Sequence, residues 1–275
     1  MKVAAIQMVS STDLQSNLEA AREWLREAAR QGAEMAVLPE YFCLLGQKDT
    51  DKLAIQEPLG QGKIQQFLAE QARQNQMWIV GGTLPLAFDK AEPVGSRVFN
   101  TSLVFSPNGE CVARYDKIHL FRFDNGTERY DESRVLQAGN LPVTFDLRDR
   151  SGHLWRVGMS VCYDLRFPEL YRGYAAAGAD ILLVPSAFTF MTGQAHWDIL
   201  LRARAVENQA FVVAPAQGGL HENGRRTWGH TLLLGPWGET LGELAHGAGV
   251  VCSDFNPQQR DECKARLPAL NHRVL

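Results

Sequence analysis

Short apolar runs rich in Val, Ile and Leu recur from one end of the chain to the other, and they constrain its fold more than any other feature. Runs of this length and composition predict buried β-strands. We expect strands over KVAAIQM, EMAVLPE, MWIVGGTL, VFNTSLVF, ECVARYDK, VTFDL, LWRVGMSV, ADILLVP, AFVVAPA, HTLLLG and GVVCSDF. The turn residues Pro107, Asn108 and Gly109 join VFNTSLVF and ECVARYDK into a predicted hairpin.

Amphipathic stretches lie between some of these runs and predict helices. In NLEAAREWLREAARQG the apolar residues fall on one stripe, and Gly32 marks the expected end of the helix. GKIQQFLAEQARQNQ and QAHWDILLRARAVENQ are further predicted helices, and another is expected to begin at Pro168. Because some strands follow one another with few helices between them, the pattern favours two stacked sheets with helices outside over one doubly wound sheet.

Composition and charge narrow the class of protein. No low-complexity linker divides the 275 residues, so we expect a single α/β domain over residues 1–275. A net charge of -3 provides no basic stripe for a phosphate backbone, which argues against nucleic acid as a partner. The start MKVAAIQMVSSTD is too short and too polar for a secretory signal, and no run approaches about 18 apolar residues. We therefore expect a cytoplasmic protein that has no membrane span.

The cysteines are too scattered for a structural framework. Cys43, Cys111, Cys162, Cys252 and Cys263 are odd in number and form no Cys-x-x-Cys pair. Neither a disulfide scaffold nor a zinc site is expected from this spacing. Any functional thiol would act singly.

Three predicted strands end on a side chain that can do chemistry. Glu40 closes AVLPE, Lys117 closes ARYDK and Cys162 closes VGMSVC. A free cysteine titrates near ~8.5 and needs a base or a positive field to attack a carbonyl at neutral pH. Glu40 can take the proton and later return it to a departing amine, while Lys117 can hold the oxyanion. This set performs acyl transfer without a metal or a cofactor.

Each of these residues also has a purely structural explanation. Cys162 can be a packing residue at the end of an apolar strand, Glu40 can face solvent after Pro39, and Lys117 can be a surface lysine. The residues alone leave both interpretations open. A strand that enters a helix near Pro168 favours catalysis, because the thiol would sit at a sharp bend near helical amides. In that case we expect a lowered pKa for Cys162 and faster alkylation than for the other four thiols.

The segments around these positions resemble the nitrilase superfamily of carbon–nitrogen hydrolases, and the resemblance spans nearly the whole chain. AVLPEYF, YDKIHLF and VCYDLRFPELYR match the motifs of that family in order and separation. The resemblance implies a four-layer αββα sandwich in which Glu40, Lys117 and Cys162 are catalytic. It also implies that the backbone amide of Tyr163 is a second donor to the oxyanion.

The family has a second glutamate between the lysine and the cysteine. Glu132 in YDES resembles it, and Glu128 is the alternative. One departure lies beside the lysine, where much of the family has Tyr-Arg-Lys and this chain has Tyr115, Asp116 and Lys117. The departure concerns the surroundings of the lysine and leaves the lysine itself in place.

Resemblance also suggests the substrate. Tyr163 and Asp164 follow the cysteine, as in amidase branches, where nitrile-cleaving members have Trp-Glu. WGHTLLLGPWG and LPALNHR resemble the Nit-type branch, which implies an amidase acting on deaminated glutathione. The alternatives are an omega-amidase for 2-oxoglutaramate, an N-carbamoyl amide hydrolase, and a catalytically silent scaffold. The family commonly forms homodimers or larger homo-oligomers, and we carry that over as an expectation.

A carboxylate-bearing substrate requires a cation. Arg166, four residues after the cysteine, is the predicted partner, with an ion pair to Asp164 or Glu169 as the structural alternative. Phe188 and Thr189 fall where the family lines its pocket.

Overall fold

The computed structural model of the chain describes residues 1–88, 97–127 and 129–274, and two large β-sheets dominate it. The strands are β1 (Lys2–Gln7), β2 (Met35–Val37), β3 (Trp78–Val80), β4 (Leu84–Leu86), β5 (Val98–Phe105), β6 (Cys111–Asp116), β7 (Arg122–Asp124), β8 (Arg129–Asp131), β9 (Leu136–Gln137), β10 (Thr144–Arg148), β11 (Leu154–Met159), β12 (Ile181–Leu183), β13 (Phe211–Ala214), β14 (Gly218–Leu220), β15 (Arg226–Trp228), β16 (Thr231–Leu234), β17 (Thr240–Leu244) and β18 (Gly249–Asp254).

The helices are α1 (Leu14–Arg30), α2 (Lys63–Asn75), α3 (Pro168–Ala176), α4 (Phe190–Asn208) and α5 (Pro257–Arg266). Short 3-10 helices cover Asp49–Ile55, Glu132–Arg134, Cys162–Arg166 and Ala269–His272.

Each large sheet has a parallel centre and antiparallel edges. The first sheet has the order β18-β1-β2-β3-β5-β4, and β6 and β9 also pair with β5. The second sheet has the order β10-β11-β12-β13-β16-β17. Strands β1, β2 and β3 run parallel, as do β11, β12 and β13. The pairs β7–β8 and β14–β15 form two small hairpins outside these sheets.

Alternation of side chains along β1 explains the layering. Val3 and Ala5 belong to the core between the sheets, whereas Ala4 and Ile6 pack in a separate cluster with α1 and α2. A strand that is apolar on both faces needs cover on both faces. The second sheet is covered on its outer side by α3 and α4, which contribute Tyr171 and Trp197 to the core. The result is the αββα sandwich expected from the resemblance.

The predicted elements are confirmed, with shifted ends. The helix over QAHWDILLRARAVENQ begins earlier than expected, because Thr189 caps α4 by accepting a hydrogen bond from the Thr192 N–H. The helix expected at Pro168 does begin there. The hairpins β7–β8 and β14–β15, and helix α5, were not anticipated. Strands of three residues carry little periodicity, and α5 buries only Cys263, so its sequence has no apolar stripe.

In the described ranges, no helix combines the length and the apolar character needed to span a membrane.

The backbone of Gly82 packs closely against Pro39, the residue that precedes the candidate base Glu40. The φ of Gly82 is +49°, and a Cβ there would lie 2.0 Å from the Pro39 carbonyl oxygen, one residue before Glu40. We expect Gly82→Ala to lower the free energy of unfolding by at least about 2 kcal/mol, measured by urea denaturation. Gly32→Ala is the matched control, since its φ is +84° and nothing lies within 4 Å of the added Cβ. Equal losses in the two variants would contradict the steric explanation.

Candidate active site

Glu40, Lys117 and Cys162 converge just beyond the ends of three strands. Lys117 directly follows β6, as expected, whereas Glu40 and Cys162 each lie three residues past β2 and β11 in separate turns. β2 and β6 belong to the first sheet and β11 to the second. The site therefore lies where loops from both sheets meet.

A buried ammonium group is at the centre of the site. Lys117 Nζ lies 3.0 Å from Glu40 Oε1 and 2.8 Å from Glu132 Oε2, and the lysine side chain is fully buried. Burial alone would lower the pKa of Lys117, but the charges of Glu132 and Glu40 raise it well above its usual range. Lys117 is therefore a permanent cation at neutral pH.

The Glu40 carboxylate is held on both oxygens. Oε1 accepts from Lys117 and from Asn100 Nδ2 at 2.9 Å, and Oε2 accepts from the Ala187 N–H at 2.9 Å. Burial raises the pKa of Glu40; Lys117 opposes this shift and Glu132 adds to it. Glu40 and Cys162 line the same cavity. Glu40 is thus a fixed base beside the thiol.

Cys162 occupies a strained turn. Its φ is +50°, a left-handed conformation that costs a non-glycine residue about 1–3 kcal/mol and is common at functional sites. The Cys162 N–H donates to the Pro185 carbonyl at 3.0 Å, which helps to hold the turn. The bend was expected, but the helix that starts there is the 3-10 helix Cys162–Arg166 and not α3. Within the described part of the chain, no acceptor takes up the next N–H, that of Tyr163.

The expectation of a lowered thiol pKa is wrong. Burial and the charge of Glu40 raise the pKa of Cys162 well above its usual range, and Lys117 only partly opposes them. The main physical reason is burial, which disfavours the thiolate, and the charges of Glu40 and Glu132 add to it beside Lys117. The resting thiol is protonated, and its attack requires proton transfer to a base.

Glu132 reaches the site from the 3-10 helix Glu132–Arg134. Besides Lys117, its carboxylate accepts from the Tyr41 hydroxyl at 2.9 Å and from the Phe121 N–H at 2.7 Å. The alternative second glutamate, Glu128, lies outside the described residues. Tyr41 itself has a φ of +57°, and burial with the charges of Glu132 and Glu40 raises its pKa well above the usual range. The hydroxyl therefore stays protonated and acts as a donor.

A buried aspartate ties the lysine segment to the turn of the nucleophile. Asp164 accepts from the Tyr115 hydroxyl at 2.7 Å, the Val161 N–H at 2.9 Å and the His119 N–H at 3.0 Å. His119 Nδ1 also lies 2.7 Å from Asp164 Oδ1. Asp164, together with His119, thus links the segment that carries Lys117 to the turn that carries Cys162.

Asp116, the residue that departs from the family pattern, makes other contacts than Asp164 does. Asp116 accepts from the Thr101 hydroxyl at 2.5 Å and from Arg114 Nε at 3.1 Å. The Thr101 contact connects β5 to β6, the Arg114 contact lies within β6, and Lys117 keeps its own partners.

A recess that reaches Cys162 contains the predicted binding residues. Its lining includes Tyr163, Arg166, Phe188 and Thr189. The Arg166 guanidinium lies over the rings of Tyr163 and Phe188, at 5.8 and 5.6 Å from their centroids. The structural alternative for Arg166 is wrong, because no carboxylate in the described ranges pairs with it, neither that of Asp164 nor that of Glu169. Its only polar contact there is His196 Nδ1 at 3.3 Å.

A larger cavity also opens on Cys162, and sequence reasoning missed most of its polar lining. Lys52 comes from the 3-10 helix Asp49–Ile55, and Arg225 and Arg226 come from the β14–β15 hairpin. Neither segment has a recognisable motif. The only sequence signal is the pair of adjacent arginines after the Gly224 turn.

The combined arrangement has the parts needed for acyl transfer. It contains a thiol, a buried carboxylate, a permanent cation and an N–H without an acceptor. In the part of the chain that is described, no group of three or more His, Cys, Asp or Glu side chains is placed to hold a metal ion.

Comparison with known proteins points to one family. The profile of the Carbon-nitrogen hydrolase family matches residues 2–265. The chain is 40% identical over 273 residues to the deaminated glutathione amidase of Synechocystis sp., covering 98% of this chain and 97% of that protein. It is 35% identical to human omega-amidase over 274 residues, which cover 99% and 94% of the two chains.

A solved structure has the same fold as this chain. The Caenorhabditis elegans NitFhit protein superposes with a TM-score of 0.86 at 33% identity. The match covers 99% of this chain and 65% of the NitFhit chain.

Replacing the central cation tests the electrostatics of the site. We expect Lys117→Met to lower the free energy of unfolding by about 3–5 kcal/mol near neutral pH, because it leaves buried carboxylates without a counter-ion. In the variant the pKa of Glu40, already raised, rises further. An acid with a raised folded-state pKa destabilises the fold above that pKa and stops doing so as the pH falls.

The difference from wild type, measured by urea denaturation, should therefore be smaller at acidic pH than at neutral pH. Lys63→Met, at an exposed position on α2, is the control and should have a small effect at both pH values. A pH-independent loss in Lys117→Met would contradict the assignment.

Proposed function

The chain belongs to the carbon–nitrogen hydrolase family, and we propose that it is a cysteine amidase that hydrolyses deaminated glutathione to 2-oxoglutarate and cysteinylglycine. It is a hydrolase of carbon–nitrogen bonds other than peptide bonds. The observation that carries the proposal is a buried carboxylate, Glu40, that contacts the Lys117 ammonium and lines the same cavity as Cys162.

The first step is attack on the amide carbonyl. Glu40 takes the proton from Cys162 Sγ, and the thiolate forms a bond to the carbonyl carbon. Negative charge develops on the carbonyl oxygen. The Lys117 ammonium and the Tyr163 N–H stabilise that charge, and the N–H is available because no described residue accepts from it.

The second step releases the amine. Protonated Glu40 gives its proton to the amide nitrogen, the carbon–nitrogen bond breaks, and a thioester on Cys162 remains. Water then donates a proton to Glu40 and attacks the thioester carbon. The carbon–sulfur bond breaks, and the proton returns from Glu40 to the sulfur.

Glu132 acts through the lysine. Its carboxylate holds Nζ at 2.8 Å and is itself held by Tyr41 and Phe121. Glu132 therefore keeps the ammonium oriented and charged while Glu40 changes protonation. This separates the two glutamates into a base and a positioning residue.

Arg166, Phe188 and Thr189 bind the acyl half of the substrate in this proposal. The Arg166 guanidinium has no acid partner in the described ranges and lines the recess that reaches Cys162. A 2-oxoglutaryl group carries its carboxylate at the end opposite to the amide. It can therefore bind Arg166 while its amide carbonyl lies at the thiol.

The similarity to omega-amidase supports a second candidate substrate. Omega-amidase is among the relatives, so 2-oxoglutaramate, which releases ammonia in place of a dipeptide, is the alternative substrate. An N-carbamoyl amide remains a further alternative from the sequence. A silent scaffold is disfavoured, because it has no reason to retain Glu40, Lys117 and Cys162 together.

We extend the proposal to the assembly. The outer face of α4 exposes Ile199 (67%) and Val206 (49%), apolar side chains that a second copy of the chain would cover. We propose a homodimer or larger homo-oligomer of single-domain chains on this basis. The cytoplasmic location stays a prediction from the sequence.

Loss of the nucleophile should abolish turnover. We expect Cys162→Ala to lower kcat/KM by at least about three orders of magnitude for deaminated glutathione and 2-oxoglutaramate, with an unchanged circular dichroism spectrum. The assay measures release of 2-oxoglutarate from these two amides and release of ammonia from one N-carbamoyl amide. Cys111→Ala, at an exposed thiol, is the control. Substantial hydrolysis by Cys162→Ala would eliminate the mechanism, and wild-type cleavage of only the N-carbamoyl amide would eliminate the substrate class.

Arg166→Lys should weaken binding of the acyl carboxylate, since an ammonium cannot form the paired hydrogen bonds of a guanidinium. We expect KM for 2-oxoglutaramate to rise about tenfold. Hydrolysis of 4-oxopentanamide, in which a methyl group replaces the carboxylate, should change much less. An equal change for both amides would show that Arg166 does not bind the carboxylate.

A further inference from the structure

Two spaces meet at Cys162, and they differ in their cations. One is the recess lined by Arg166, which the proposed function assigns to the acyl group. The other is the larger cavity lined by Lys52, Arg225 and Arg226. An amide whose carbonyl lies at the thiol has two halves. If the acyl half occupies the recess, the amine half extends into the larger cavity.

Four carboxylates and three cations line the larger cavity, but only one of those cations forms an ion pair within the described ranges. Asp49 Oδ1 is bound by Arg225 Nη2 at 2.7 Å. The site glutamates share Lys117, and Asp131 accepts from the N–H and hydroxyl of Ser133.

Lys52 and Arg226 are the two lining cations that form no ion pair in the described ranges. Across residues 1–88, 97–127 and 129–274, no carboxylate lies within ion-pair distance of either side chain.

Arg226 is held in place without an acid. Its guanidinium carbon lies 3.6 Å from the centroid of the Phe190 ring, a cation–π contact that involves no acid. A β-bridge between Thr189 and Thr227 anchors β15 to the segment that lines the recess. The Trp228 N–H also donates to the Phe188 carbonyl at 2.9 Å. An arginine positioned in this way can bind a carboxylate through two parallel hydrogen bonds.

Lys52 lies on the side of the cavity near the reacting groups. Its Nζ is 4.6 Å from the centroid of the Tyr41 ring, whose hydroxyl donates to Glu132. Burial lowers the pKa of Lys52, while the charges of Glu132 and Asp49 oppose this shift. An anion in the cavity would compensate for its desolvation.

We propose that Arg226 and Lys52 form a subsite for a carboxylate on the leaving amine, so that the enzyme prefers amides whose amine half is a short peptide with a free C-terminus. This inference rests on the proposed function and deepens it. Cysteinylglycine provides such a carboxylate at its C-terminus. Ammonia, which leaves from 2-oxoglutaramate, provides none.

The test compares two substrates that differ only at that carboxylate. They are 2-oxoglutaryl-cysteinylglycine and the same compound with a C-terminal amide. We expect wild-type kcat/KM to be about tenfold higher for the free carboxylate. Arg226→Gln should remove most of this preference, and Lys52→Met should reduce it. Arg26→Gln, at an exposed position on α1, is the matched control and should retain the preference in full.

The outcomes separate this inference from the proposed function. If wild type cleaves both compounds equally well, or if Arg226→Gln keeps the full preference, the subsite is wrong while the amidase assignment stands. Cleavage of 2-oxoglutaramate but of neither peptide also refutes the subsite and favours an omega-amidase. If none of these amides is cleaved, the proposed function fails and the inference falls with it.

Discussion

The buried Lys117 ammonium is the interaction on which the rest of the site depends. A fully buried cation is costly unless carboxylates and hydrogen bonds compensate for its lost hydration. Glu40 and Glu132 do so at 3.0 and 2.8 Å, and each is held by further donors. Burial and the two neighbouring carboxylates raise the pKa of the Cys162 thiol, and Lys117 opposes them only in part. In the proposed mechanism Cys162 therefore needs a base to become a thiolate.

This balance requires the two-sheet architecture. The carboxylate of Glu40 lies in a turn after β2, and the thiol lies in a turn after β11 of the other sheet. The Ala187 N–H, which follows β12 of the second sheet, donates to Glu40 and so bridges the two sheets. Asp164 connects the segment of Lys117 to the turn of Cys162 in the same way. Each sheet alone would present only part of the catalytic group.

The residues proposed to bind the substrate lie on different kinds of element from those proposed to be catalytic. The proposed catalytic residues follow β2, β6 and β11, and the sequence runs that contain these strands were predicted. Lys52, Arg225 and Arg226 lie on a short 3-10 helix and a hairpin of three-residue strands, where such signals are weak. They meet only because the chain folds these distant segments over one cavity. The proposed subsite therefore uses parts of the chain whose positions local sequence does not reveal.

The amino-acid sequence by itself determined the layered α/β fold, since hydrophobic periodicity is a local property, and the motifs that resemble the nitrilase superfamily singled out Glu40, Lys117 and Cys162 as candidates. It left Glu132 and Glu128 as alternatives, and only the tertiary structure brought Glu132 onto Lys117. The direction of the pKa shift at Cys162 was also decided there. A pKa depends on how many charges surround a group and how deeply it is buried, and these are properties of the folded chain.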